Sequence, residues 1–422
     1  MSVLLYSTAH LGHLMPTAHL AEGLSTLKGF TVCLAAAECR RAKCAARVEA
    51  AGGSFHGLAS EIDEAICLQM GPPAIGLKGP LVYYCAEQEL APLQAAVAAF
   101  KPDVLVADLF GLAGFWIAEA QHDLPLVINM PANYAIYNMI TTVIPKLYAV
   151  LRCLPCLRPR HMSWEAVRFM REEMRPRIAK AHAGDLVILL NSIWAIDAPT
   201  PPAGLPPSVV MTGPLFPLSA RAHGLSAANP RHAPLLRWLD STPSDLPLVY
   251  ITTGTQATLD ERLVRVLHDA LSLCRCVTCW SLKEAAQAHL PAAALRGSDR
   301  LFVASWIPQL ELMRLPRLAC VVSHCGWGGV LETASAGKPV VSIPFFGDQP
   351  ANAKLLRQHG CAITVDHKRC TANAVATAVS RVLDEPSFKA NAEKVQQAML
   401  QAPGIAAAAA AIEAAAGLGK KV

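Results

Sequence analysis

Residues Trp306 to Gln349 read WIPQLELMRLPRLACVVSHCGWGGVLETASAGKPVVSIPFFGDQ. Ala319 to Val322 is a short apolar run of strand type, and Ser323 to Gly329 is a turn in which Gly326, Gly328 and Gly329 surround Trp327. A helix is expected to start at Val330 and run through Ala336. A glycine-rich turn between a strand and a helix leaves backbone N–H groups free at the positive end of the helix dipole, which suits a phosphate. The same glycines also serve a tight turn that needs them for steric reasons alone.

Outward from this stretch, short apolar runs without alternation recur at Val3 to Tyr6, Phe30 to Leu34, Val104 to Val106, Leu124 to Ile128 and Leu186 to Leu190. They continue at Leu248 to Thr252, Cys276 to Trp280, Leu301 to Val303, Ala319 to Val322 and Val340 to Ile343. Strands covered on both faces of a parallel sheet have this pattern. Helical spacing lies between them, most clearly at Leu259, Leu263, Val266, Leu267 and Leu271, with Thr258 and Glu261 as a capping box. Strands alternating with helices predict βαβ units and doubly wound sheets.

Prolines crowd Ala198 to Pro234, as in APTPPAGLPP, and mark a linker. The expected organisation is an α/β domain over 1–200, a Pro-rich linker over 201–234, a second α/β domain over 235–400, and a C-terminal helix and tail over 401–422. The tail, PGIAAAAAAIEAAAGLGKKV, is Ala-rich and reads as a helix capping a domain surface. With 53% hydrophobic and 16% charged residues, disorder and a charged helical rod are excluded. The formal charge of +5 is spread without a basic run, so nucleic acid is not an expected partner. The fourteen Cys are scattered, the N-terminal MSVLLYSTAH lacks the features of a signal peptide, and no run reaches about 18 strongly apolar residues. Reduced thiols, a cytoplasmic location and no transmembrane segment are therefore expected, with peripheral membrane contact left open and a monomer assumed.

The Trp306–Gln349 window resembles the plant-type signature box of family 1 UDP-glycosyltransferases. It has that box's length, with WxPQ, HCGW, a Glu and a terminal Asp-Gln at the box's offsets. The resemblance implies the GT-B fold: two facing Rossmann-like domains of doubly wound parallel sheet, with the active site in the cleft between them. It also implies that Trp306 stacks on the uracil ring, Gln309 lies beside base and ribose, and His324 contacts the diphosphate. Glu332 would accept both ribose hydroxyls, and Asp348 and Gln349 would hold sugar hydroxyls, which suits carboxylate chemistry. Gly326, Trp327, Gly328 and Gly329 would offer backbone N–H groups. At Gly328-Gly329 the family usually has Asn-Ser, so side-chain hydrogen bonds to the donor are lost there. Upstream, LPLVYITTGT resembles the opening of the family's C-terminal domain and implies Gly254 and Thr255 at the diphosphate. More loosely, CWSLK at Cys279 to Lys283 and MTGPLFP at Met211 to Pro217 are also similar to family landmarks.

In the N-terminal half, STAHLGHLMP places Gly12, His13 and Pro16 in the family's GHxxP pattern, implying that His13 is the base that takes the acceptor's proton. Asp108, at the end of the strand in KPDVLVADLF, matches the Asp that activates this His, and otherwise reads as a cap on the next helix. His10, His13 and His19 have no acidic or Cys partner at metal-ligand spacing, so no metal is expected. Cys153-Cys156 and Cys276-Cys279 read as packing residues, the second pair pointing to opposite faces of a strand. Large apolar side chains at Tyr134, Tyr137, Met139, Ile144, Tyr148, Trp164 and Phe169 suit a lipophilic acceptor or ordinary core packing. The resulting expectation is an inverting, metal-independent enzyme with no cofactor, moving glucose from UDP-glucose to a hydroxyl of a small phenolic, terpenoid, carotenoid or sterol molecule. A nucleotide-sugar epimerase and a non-catalytic UDP-sugar-binding protein are the alternatives.

Overall fold

The computed structural model describes residues 1–62, 79–138, 169–197, 205–218, 224–255, 257–295 and 298–418. Two units emerge: Met1–Pro217 together with Ala402–Val422, and Leu218–Gln401.

The first unit holds β1 (Ser2–Tyr6), β2 (Thr31–Ala37), β3 (Ser54–Leu58), β4 (Val104–Asp108), β5 (Leu126–Met130), β6 (Val187–Leu190) and β7 (Val209–Met211). They form one parallel sheet in the order β3-β2-β1-β4-β5-β6-β7. Alternate residues of each inner strand feed two separate cores: Leu4, Tyr6, Leu105 and Ala107 on one face, Val3, Leu5, Val104 and Val106 on the other. A strand covered on both faces has no polar side to show, hence the unbroken apolar runs. The second unit holds β8 (Leu248–Thr252), β9 (Val277–Ser281), β10 (Leu301–Ala304), β11 (Leu318–Ser323), β12 (Val340–Ser342) and β13 (Ala362–Thr364). Their parallel order is β10-β9-β8-β11-β12-β13. In it Cys276 and Cys279 fall in opposite cores, as their spacing requires. Cys153 and Cys156 lie outside the described residues.

Several local expectations are corrected. The helix Glu261–Ser272 is capped by Asp260, whose carboxylate accepts from Leu263 N at 2.8 Å, rather than by Thr258. Asp260 has the extended backbone and stands next to the first helical residue, the position from which a side chain reaches a free N–H. The helix after the glycine turn runs over Trp327–Ser335, with Gly326 as its N-cap, so Gly328 and Gly329 belong to its first turn. The stretch expected as a linker contains β7, because Val209, Val210 and Met211 form an apolar triplet between the prolines. Residues 386–417 are long and apolar enough by composition to span a membrane. That run is two helices, Pro386–Leu400 and Gly404–Leu418, broken around Pro403 and shared between the units.

The last helix, Gly404–Leu418, is integral to the first unit. Ala408, Ala409, Ala411, Ile412 and Ala415 are buried with Val3, Leu5 and Leu189. A Cβ on Gly23 would come within 2.5 Å of Ile405, so the helix Leu11–Ser25 meets this last helix at a residue without a side chain. Gly404 N donates to Thr212 O at 2.8 Å and ties the start of this helix to the end of β7.

Candidate active site

In each sheet the chain order reverses direction at one place, between β1 and β4 and between β8 and β11. The carboxyl ends of strands at such a switch point splay their connections apart and leave a crevice. His13 and Asp108 in the first unit, and Gly254 and His324 in the second, follow or end the strands at these two places.

In the first unit, β1 leads through Ser7 and Thr8 into the helix Leu11–Ser25, which carries His13 in its first turn. Asp108 is the last residue of β4 and is fully buried. Its Oδ2 accepts from Ser7 Oγ at 2.8 Å and Thr8 N at 2.6 Å, and its Oδ1 accepts from Phe110 N at 2.7 Å. The carboxylate therefore pins together the loops leaving β1 and β4. The following helix, Leu112–Ala120, is capped by Gly111, so Asp108 is not its N-cap. Burial pushes the Asp108 carboxyl up, and the bonds from Ser7, Thr8 and Phe110 push it back down.

His13 Nδ1 stands 3.6 Å from Asp108 Oδ1. This is longer than an N–H···O bond but within ion-pair range, and such pairs tighten when substrate binds. Burial lowers the His13 pKa to about 3, which keeps the ring neutral. The ring packs against Phe110 at 4.4 Å between centroids, and Phe110 in turn packs against Phe169 at 5.7 Å. His10 meets His13 edge-on at 5.3 Å instead of converging with it on a common point. Among the described residues no group of three or more His, Cys, Asp or Glu side chains is arranged to hold a metal. Of the residues expected along an acceptor pocket, Tyr137 and Phe169 are buried in the core and Tyr134 packs against it. Met139, Ile144, Tyr148 and Trp164 lie outside the described residues. Among the described residues, Phe110, which sequence reading passed over, is the aromatic ring nearest His13.

In the second unit, His324 follows β11 and its ring lies between two backbones. A Cβ on Gly254 would approach His324 Nε2 to 2.4 Å, and one on Gly326 to 2.5 Å. Gly254 also has a φ of +66°, so glycine is required there twice over. Between these residues Cys325 adopts φ +63°, an unusual conformation for a residue with a side chain. It is held by Cys325 N donating to Ser323 Oγ at 3.0 Å and by Asn352 Nδ2 donating to Cys325 O at 2.9 Å. Burial lowers the His324 pKa to about 4. Thr255 is exposed at the mouth of this loop.

Gln309 and Glu332 are joined directly, the amide Nε2 donating to Glu332 Oε2. Tyr250 on β8 donates its hydroxyl to Gln309 Oε1 at 3.0 Å and orients the amide. Tyr250 was invisible as a site residue because it sits inside an apolar strand run. Counted from Trp327, Glu332 is the sixth helical residue, in the second turn and not the first. Asp348 accepts from Asn352 Nδ2 at 2.7 Å, and burial pushes its carboxyl up. Gln349 is buried, and its Oε1 accepts from Phe345 N at 2.9 Å and Phe346 N at 3.3 Å. Only its Nε2 end is left to meet a ligand. Trp306 is 42% exposed, with the Arg231 guanidinium 3.7 Å over its ring.

Solved structures with this architecture span the whole chain. A UDP-glucosyltransferase from Polygonum tinctorium capable of glucosylating indoxyl superposes with a TM-score of 0.76, at 18% identity, over 100% of this chain and 99% of that one. A Phytolacca americana enzyme, UGT2, complexed with UDP-2fluoro-glucose and pterostilbene, gives 0.75 at 18% identity over 99% of each chain. The fold is GT-B, that of nucleotide-sugar glycosyltransferases. In sequence, residues 219–402 match the family model for UDP-glucoronosyl and UDP-glucosyl transferase. UDP-glycosyltransferase 74C1 of Arabidopsis thaliana is 35% identical over 29% of this chain and 27% of its own length. An anthocyanidin 3-O-glucosyltransferase of Zea mays is 31% identical over 51% and 48%. The alignments thus span about a quarter to a half of these curated relatives.

Proposed function

We propose that this protein is an inverting, metal-independent glycosyltransferase that moves glucose from UDP-glucose to a hydroxyl of a small lipophilic acceptor. The observation that carries the reading is His13 facing the buried Asp108 at the β1/β4 switch point, since a protein that only bound a UDP-sugar would need no base. This argues against the non-catalytic alternative. In the reaction, the acceptor's proton passes to His13 as its oxygen attacks the anomeric carbon from the face opposite UDP. Asp108 holds the ring's orientation and stabilises the imidazolium that forms. The bond from the anomeric carbon to the diphosphate breaks, and its electron pair leaves with UDP. The backbone groups around Gly254 and Gly326, with His324, receive the departing diphosphate. Glu332, oriented through Gln309, takes the ribose hydroxyls.

The Phe110 ring beside His13, backed by the buried Phe169, favours a flat, apolar acceptor. The acceptors named for relatives, anthocyanidin and flavonol, favour a phenolic one within that class. A cytosolic location belongs to the same reading and agrees with the free thiols of the described cysteines. The test is incubation with UDP-glucose and a panel of phenols, terpenoids and sterols, following UDP release and product mass. A product heavier by one hexose supports the reading. UDP-glucose that is bound but neither transferred nor hydrolysed across the panel would leave the non-catalytic alternative standing in its place.

A further inference from the structure

We propose that Lys283 is the cation that binds the donor's diphosphate and neutralises the charge it gains on leaving. The inference rests on the donor reading of the second unit given above. Strand register places the residue. Ser281 of β9 pairs with Thr252 of β8, and Thr252 pairs with Ser323 of β11. Three strands therefore end level, and each is followed within two residues by a candidate group: Lys283, Gly254 and His324 respectively.

A half-buried ammonium needs a reason to be there, because losing water costs it more than a neutral side chain. Among the described residues, Lys283 makes no ion pair and its Nζ makes no hydrogen bond. Burial accordingly lowers its pKa, and its charge in turn depresses that of His324, which places the two side chains in one field. An unpaired cation held at the carboxyl end of a parallel sheet, beside a glycine cradle, is suited to an anion.

Among the described residues, the groups assigned to the phosphates lack such a charge, and Arg231 lies over Trp306 at the base end. His324 is held neutral by its burial, so it offers hydrogen bonds but no net charge. Gly328 and Gly329 supply only backbone N–H groups, and a Cβ on Gly328 would meet nothing within 4 Å. Glu332 and Asp348 are themselves acidic. When the bond to the anomeric carbon breaks, its electron pair moves onto a β-phosphate oxygen, and the diphosphate becomes more negative by one charge. Lys283 supplies the compensating charge, stabilising the leaving group more than the intact donor.

The experiment compares UDP with uridine by calorimetric titration of the full chain, for the parent, Lys283→Met and Lys283→Arg. The expected result is a loss of UDP affinity of roughly ten- to hundredfold in Lys283→Met, with uridine affinity within about twofold of the parent. Lys283→Arg should recover most of the UDP affinity, and raised salt should weaken UDP binding more steeply in the parent than in Lys283→Met. Unchanged UDP affinity in Lys283→Met, or equal losses for UDP and uridine, would overturn the role of Lys283 while leaving the donor site intact. Failure of the parent itself to bind UDP would overturn the donor reading and this inference with it. Lys283→Gln carries the same comparison if the methionine variant proves insoluble.

Discussion

His13 lies against Phe110 and near the Asp108 carboxylate, and the two neighbours act on it in opposite senses. Burial favours the neutral ring, while the carboxylate favours the imidazolium once a proton arrives. A base works in its deprotonated form, so lowering its pKa to about 3 extends activity toward acid. The acid limb of kcat/KM should therefore fall well below pH 6.5, and His13→Ala should lower turnover by about 10²–10⁴ while UDP affinity stays the same. A limb centred at the ordinary histidine value would show that Asp108 fully offsets burial. Deeper in the same unit, Tyr6 donates to Glu89 Oε2 at 2.5 Å, and burial raises the Glu89 pKa to about 8 from the ordinary 4.5. The folded protein thus keeps a proton that the unfolded chain releases, so stability is fully present below about pH 4.5 and declines as pH rises toward 8. Glu89→Gln removes that loss. Its unfolding free energy relative to the parent should rise with pH across this window by on the order of a few kcal/mol, which denaturant unfolding at each pH measures. A constant difference between pH 5 and pH 9 would mean that Glu89 is ionised throughout.

Among the elements, the correction at Glu261–Ser272 gives a direct comparison. Asp260→Ala should cost ~1 kcal/mol in denaturant unfolding of the second unit, and Thr258→Ala close to nothing. The reverse ranking would restore the capping box. Of the thirteen strands among the described residues, ten are read from apolar runs; the three passed over, β3, β7 and β13, are all sheet edges, β7 being an apolar triplet set among prolines. An edge strand has one unpaired side and partial exposure, so a sequence such as SFHGL in β3 shows no apolar run. The site divides in the same way. His13, His324 and Glu332 stand out because they occupy the GHxxP and signature-box positions of the family that the sequence resembles. Tyr250 and Phe110 do not, since their roles come from a neighbour brought in by the fold. The left-handed Cys325 was also hidden, because nothing in HCGW shows which residue takes the positive φ.

At the scale of the whole molecule, neither sheet order nor the two switch points can be read from local pattern, since both depend on which strands pair across a hundred residues. The placement of the last helix is of the same kind. An Ala-rich tail reads as a surface cap, yet Ile412 is fully buried in the first unit. Ile412→Ala should therefore lower the unfolding transition of the first unit by ~2–5 kcal/mol and leave that of Leu218–Gln401 unmoved, as domain-resolved calorimetry can show. A shift confined to the second unit would place the helix there instead. This arrangement also sets an order in time. The ribosome completes every residue of Leu218–Gln401 before it delivers the segment that finishes the first unit. At ~5–20 residues per second, the nascent first unit waits on the order of tens of seconds with the apolar face beneath Ile412 bare. The later-made unit can close first, and the surface that a chaperone would meet on the growing chain is the one this final helix comes to cover.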